Sequence, residues 1–168
     1  LEVNEFDSVP AGLFDHLQGM SYLTLFDTYL SQLPPGIFDK LLSLQGIDLH
    51  GNRLTSLPEG IFEKLCSLNW LSLHSNQLSS LPERMLCRLE NLQFLYLFDN
   101  KISTIPINTF SALTGLQELW LSYNELEELP LGLFDSLANL QGLYLHINQI
   151  GEVQAGLFQQ LSSLTHLT

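Results

Sequence analysis

One interval governs this chain. Asparagine recurs at Asn4, Asn52, Asn76, Asn100, Asn124 and Asn148, and proline at Pro10, Pro34, Pro58, Pro82, Pro106 and Pro130. Phenylalanine keeps the same beat at Phe14, Phe38, Phe62, Phe110, Phe134 and Phe158. Leu17, Leu41, Leu65, Leu89, Leu113, Leu137 and Leu161 never miss it. Every spacing is 24 residues or a multiple of it, so the 168 residues make seven periods. Unbroken self-similarity at this period specifies a solenoid, in which each unit touches only its neighbours.

Leu44 to Leu65, LQGIDLHGNRLTSLPEGIFEKL, shows how one unit works. Ile47 and Leu49 alternate with Gly46, Asp48 and His50, which is strand periodicity. Asn52 then offers an amide that can bond neighbouring backbone as the chain leaves the strand. Pro58 and Gly60 punctuate a turn. Phe62, Leu65 and Leu68 are spaced for one face of a helical turn or two. One unit alone cannot bury both its strand leucines and its phenylalanine. Stacking is therefore obligatory, and each leucine it buries contributes about 1.5–3 kcal/mol before ordering entropy is subtracted. Some slots depart from the pattern: Thr28 replaces asparagine, Arg84 and Asn108 replace glycine, Leu86 replaces phenylalanine and Gln154 replaces proline. Thr28, shorter and branched, predicts a weaker rung in the asparagine ladder.

The net charge of −12 argues against nucleic acid, whose phosphates require basic groups. No apolar run approaches the ~18 residues of a membrane span. All six basic residues lie between Lys40 and Lys101, and six acids follow with no cation after Ile102. An acidic C-terminal pole is expected, with Glu125, Glu127 and Glu128 in one solvated loop.

The unit L-x-x-L-x-L-x-x-N-x-L-x-x-L-P-x-G-x-F-x-x-L-x-x resembles the leucine-rich repeat in its 24-residue, phenylalanine-bearing form, over the whole chain. LPPGIFDKL (Leu33 to Leu41), LPEGIFEKL (Leu57 to Leu65) and LSLHSNQL (Leu71 to Leu78) resemble the variable lymphocyte receptors of jawless vertebrates and similar molecules in other chordates. The resemblance implies one domain over 1–168. Its expected form is a horseshoe arc with a parallel concave sheet and short helical or irregular convex segments. It also implies an extracellular protein, without enzymatic activity or cofactor, that binds antigen on its concave face. The cysteine-rich caps of those receptors are not among these residues. Cys66 and Cys87 stand on the convex side of adjacent units, three residues out of step. A disulfide is one reading, provided the Cα atoms approach within roughly 7 Å; two free thiols is the other.

The slots between strand leucines vary freely and should face outward on the concave sheet. One column reads Tyr22, Gly46, Trp70, Phe94, Glu118, Gly142, His166. The second reads Thr24, Asp48, Ser72, Tyr96, Trp120, Tyr144, Thr168. The third reads Glu2, Phe26, His50, His74, Phe98, Ser122, His146. Both tryptophans, three of five tyrosines and four of five histidines fall in these columns, and no lysine or arginine does. Large amphipathic rings gathered on an exposed face mark a binding surface, as in antibody paratopes. With strands ~4.8 Å apart the columns cover roughly 30 Å, room for a protein epitope or several sugar rings of a glycan or glycolipid. The competing reading is that cross-strand aromatic pairs only stiffen the sheet. Trp70, Tyr96, Phe98 and Trp120 form the expected centre.

Asp48, Ser72, His50 and His74 permit a serine–histidine–aspartate grouping or weak zinc or nickel binding to be imagined. An open sheet with no lid and no oxyanion donors argues against catalysis. Histidines used as contacts are the preferred reading, and binding should then weaken below ~pH 6.5 as they gain charge. An extracellular matrix or developmental protein that binds a host protein is the alternative function. Finally, Leu164-Thr-His-Leu167-Thr168 read on into Leu1-Glu-Val-Asn4 restores the repeat, so end-to-end self-association is also expected.

Overall fold

The computed structural model describes all residues from Leu1 to Thr168. Seven short strands, β1 (Tyr22–Thr24), β2 (Gly46–Asp48), β3 (Trp70–Ser72), β4 (Phe94–Tyr96), β5 (Glu118–Trp120), β6 (Gly142–Tyr144) and β7 (His166–Leu167), form one parallel sheet in sequence order. Each residue pairs with the residue 24 positions later, as in Leu23 with Ile47 and Leu71 with Leu95. Six turns of a solenoid with about 24 residues per turn result. The sequence period has become the spatial register.

The central residue of each strand points inward, and Ile47, Leu71, Leu95, Leu119 and Leu143 are fully buried. They join the convex leucines in one apolar core that runs the length of the stack. Phe14, Phe38 and Phe62 form a spine of parallel rings with centroids 6.3 and 6.0 Å apart. The spine stops at Leu86 and resumes at Phe110, Phe134 and Phe158.

The convex segments contain no helix. They are chains of turns closed by bonds across three residues, such as Asp39 N–H to Gly36 O, Leu41 N–H to Phe38 O and Leu44 N–H to Leu41 O. Of the helical and irregular alternatives, the irregular one is found. Pro58-Glu59-Gly60-Ile61 explains why. Ile61 N–H bonds Pro58 O at 3.3 Å and Gly60 has φ of 65°, the signature of a type II turn, which breaks helical geometry at once. Arg84 and Asn108 close the equivalent turns, Met85 N–H to Pro82 O and Thr109 N–H to Pro106 O, without positive φ. The departure from glycine changes the turn type and leaves the solenoid continuous.

The asparagine ladder holds the strand exits together. Asn76 donates to Leu49 O at 2.9 Å in the preceding unit and to Leu73 O at 3.1 Å in its own, and accepts from Leu54 N–H at 3.1 Å. Asn52, Asn100 and Asn124 repeat that set. Thr28 is fully buried, with its hydroxyl 3.0 Å from Leu25 O and 2.9 Å from Asn52 Oδ1. It makes no bond to the unit before it. Asn4 reaches only Glu2 O, so the ladder effectively begins at Asn52.

Cys66, exposed, and Cys87, half-buried, are free thiols in this structure. The same diagonal step between these units is bridged by Arg84 and Glu63, whose charged atoms are 3.6 Å apart at the ends of two long side chains. No helix is long and apolar enough to cross a membrane.

Candidate functional site

Strand alternation delivers the three columns to the concave face, but it does not expose them equally. Tyr22 is 60% exposed, and Thr24, Phe26, His50, Trp70, His74, Phe94, Tyr96, Phe98, Glu118, Trp120, Tyr144 and His146 are half-buried. Asp48, Ser72 and Ser122 are buried, at 7%, 0% and 1%. These three, expected to be exposed among the ligand-binding residues, have almost no accessible surface. Short side chains in these columns lie lower than the rings around them. Gly46 shows the effect most plainly. A Cβ there would lie 2.7 Å from the Tyr22 ring and 3.1 Å from Trp70, which close over the gap from both sides.

The aromatic residues fall into two arrangements. In the third column Phe26, His50, His74 and Phe98 stack face to face, with centroids 4.6, 4.4 and 4.1 Å apart and planes within 14° of parallel. Their faces cover one another, so this column offers mainly ring edges to a ligand. In the first two columns the rings meet edge to face: Trp70 with Tyr96 at 6.4 Å and 76°, Tyr96 with Trp120 at 6.1 Å and 88°. Each such pair sets one ring's edge against its partner's face, and all three rings stay partly exposed. Trp120 also stacks on Tyr144 at 3.8 Å and tilts against Phe98 at 5.8 Å. The four residues expected at the centre thus form one connected group. A shallow depression of about 250 Å³ lies among His74, Tyr96, Phe98 and Trp120.

Charge is arranged around these rings. Glu118 Oε2 accepts the Trp120 indole N–H at 3.0 Å. His50 Nδ1 lies 2.7 Å from Asp48 Oδ1, which fixes the imidazole. Burial holds the His74 pKa below its ordinary value, and neighbouring His50 pushes it the same way, against the opposing pull of Asp48, Asp99 and Asp27. Burial, with the charge of Glu118, raises the Tyr96 phenol. The face is neutral to acidic.

Asp27 and Asp99 were not among the residues singled out from sequence. Both sit at a left-handed backbone position one slot beyond the third column, shared by Val3, Asp27, Ser75, Asp99, Tyr123 and Ile147 with φ of 50–55° and by Gly51 at 65°. Only Gly51 advertises that conformation in the sequence. The others are held there by bonds such as Asp27 N–H to His50 O and Ser75 N–H to Phe98 O, against an intrinsic cost of ~1–2 kcal/mol each. The 24-residue spacing alone would have found the column. Its outer position is visible in Tyr123, half exposed and edge-on to His146 at 5.4 Å.

The imagined catalytic grouping is not assembled. Ser72 Oγ is buried and has no hydrogen-bond partner, while His74 Nδ1 engages Ser75 Oγ at 3.1 Å. No three His, Cys, Asp or Glu side chains converge to hold a metal ion.

Residues 1–54, 43–102 and 99–150 match the family profile described as leucine rich repeat. No curated protein matches the chain in sequence. Among solved structures, the chain superposes on the structure of TLR13 bound to ssRNA13 with a TM-score of 0.86 at 28% identity, over 99% of this chain and 23% of that one. The leucine-rich repeat domain of APL1 gives a TM-score of 0.81 at 27% identity, over 86% and 38%. The Drosophila Toll–Spatzle complex gives 0.81 at 24% identity, over 98% and 25%, a likeness of fold alone. The chain therefore spans well under half of each of these proteins.

Proposed function

Because the chain belongs to the leucine-rich repeat family, we propose that it is a non-enzymatic recognition module that binds a protein or glycan ligand through its concave face. The connected group Trp70, Tyr96, Phe98, Trp120 and Tyr144 carries this reading. The solenoid requires only small or polar residues on that side of the sheet. Large rings there are gathered side by side and remain partly exposed to solvent, which is the composition of a binding surface.

The similar structures supply context. One has Toll in complex with Spatzle, described as a hub in development and innate immunity, and another has TLR13 with ssRNA13. An innate or adaptive immune role, outside the cell and toward antigen or microbial surface molecules, accords with these likenesses and with the similarity to variable lymphocyte receptors. An RNA ligand does not suit this chain. Its net charge is −12 and no lysine or arginine lies in the three columns. The alternative is a host protein ligand in matrix or development.

An array of microbial glycans, glycolipids and surface proteins, printed beside host matrix proteins and probed with the parent and Trp120→Ala, tests the proposal. Saturable binding to a microbial molecule that Trp120→Ala removes is expected. Binding confined to host proteins establishes the alternative. Ligands that bind parent and variant equally overturn the concave reading.

A further inference from the structure

At the strand exit each turn of the solenoid places one residue in the left-handed backbone region, in the column Val3, Asp27, Gly51, Ser75, Asp99, Tyr123 and Ile147. Glycine adopts that backbone freely, and aspartate, with a short polar side chain, tolerates it. Tyr123 and Ile147, at φ of 54° and 55°, suit it badly, because a bulky or β-branched residue is an outlier there. Backbone bonds hold them in place: Tyr123 N–H bonds His146 O at 3.0 Å, and the Ile147 carbonyl accepts Asn124 N–H at 3.2 Å. Core burial does not offset the strain, since Tyr123 is 50% exposed and Ile147 60%. Two large, mainly apolar side chains on neighbouring turns thus meet solvent from backbone positions that favour neither.

Strained backbone persists where function requires it. We propose that Tyr123 and Ile147 form a lateral anchor of the concave site, which receives an apolar side chain of a protein ligand flanked by lysine or arginine. Tyr123 joins the pair to the aromatic columns, for it packs edge-on to His146, the last residue of the third column, at 5.4 Å and 81°. Like those columns, the strand-exit column changes from turn to turn, whereas the asparagine that follows it is constant from Asn52 onward. The aliphatic Ile147 side chain offers a sugar hydroxyl no hydrogen bond, so a protein suits it where a glycan does not. The charges name the flanks. Residues 99–103, 123–128 and 147–152, which leave these strands, hold exposed Asp99, Glu125, Glu127, Glu128 and Glu152 against one cation, Lys101. None of the six is in an ion pair within the chain. Opposite charges across an interface steer and orient a partner. This inference rests on the concave face being the binding surface, and it selects protein over glycan as the ligand.

A displayed library of random linear peptides, panned on the parent, supplies the probes. Clones are titrated against Tyr123→Asn, Ile147→Asn, Trp120→Ala and Ile107→Asn, a convex residue 49% exposed and without positive φ. Clones with an aliphatic or aromatic residue between basic ones are expected, losing about tenfold or more in affinity with each rim variant and nothing with Ile107→Asn. Asparagine is at ease in the left-handed region, so Ile147→Asn should melt roughly 2–4 °C above Ile107→Asn. Equal melting of those two variants shows the backbone unstrained and overturns the proposal. So does recovery of no rim-dependent clone, or of rim-dependent clones without basic residues, or a glycan from the array whose binding Ile147→Asn abolishes. Clones lost with Trp120→Ala but indifferent to both rim variants remove the anchor and keep the concave reading. Clones lost with the rim variants but indifferent to Trp120→Ala keep the anchor and remove that reading.

Discussion

Replacing Asn100 by alanine removes one rung from the middle of the ladder, and the structure permits its cost to be worked out. The side chain is buried, 8% exposed. Its Nδ2 donates to Leu73 O at 3.0 Å, Leu97 O at 3.1 Å and Phe98 O at 3.3 Å, and its Oδ1 accepts from Leu78 N–H at 3.0 Å. The carbonyls are insured: Leu73 O keeps Asn76 Nδ2 at 3.1 Å and Leu97 O keeps Asn124 Nδ2 at 2.9 Å. Leu78 N–H has no such reserve. Orphaning that buried donor costs ~1–3 kcal/mol, and the three Nδ2 contacts, which share two protons, add roughly 0.5–1.5 kcal/mol per proton. About 3 kcal/mol is expected in all. Thr28→Ala loses one hydroxyl proton, and no backbone donor in a preceding unit depends on it, so about 1 kcal/mol is expected there. Urea unfolding of parent and both variants measures the difference. Equal losses at the two sites would refute the ladder argument.

Three further outcomes are expected. Burial and His50 depress the His74 pKa in the fold, so below about pH 6.5 the unfolded chain binds a proton that the native chain resists. Stability should fall as pH drops through 6.5 toward the native pKa, and His74→Gln should flatten that slope in urea midpoints taken from about pH 5 to 7.5. Ser72→Ala deletes a buried hydroxyl without a partner; the melting temperature should hold or rise, and a loss above ~1 kcal/mol would mean the hydroxyl is bonded after all. Cys66→Ser should leave non-reducing and reducing melting curves superimposed, because neither thiol is paired.

The fold was legible because one period fixes both composition and register. A residue that recurs every 24 positions must, in a stack, lie beside its own copy, and the pairing of Leu71 with Leu95 says no more than that. The core was legible for the same reason. What resisted reading was anything decided by neighbours in the next unit. Asp48, Ser72 and Ser122 sit in outward slots yet are buried, and strand alternation carries no information about that depth. The convex turns hid their conformation because Phe62, Leu65 and Leu68 fit a helix face as well as a run of tight turns. Only the φ of 65° at Gly60 separates the two. Asp27 and Asp99 were overlooked because a left-handed backbone is announced by glycine, and only Gly51 of that column is one.

The central claim is that ligand affinity resides in the aromatic rings of the concave sheet. Titrating the strongest array ligand against parent, Tyr96→Ala, Trp120→Ala and the convex variant Glu63→Ala tests it most directly, with circular dichroism confirming that each variant is folded. Each ring truncation should weaken binding by about 2 kcal/mol or more, roughly thirtyfold, while Glu63→Ala leaves the affinity where it was. Parent-like binding by both ring variants, with affinity lost in Glu63→Ala, would contradict the account and move the site to the convex side.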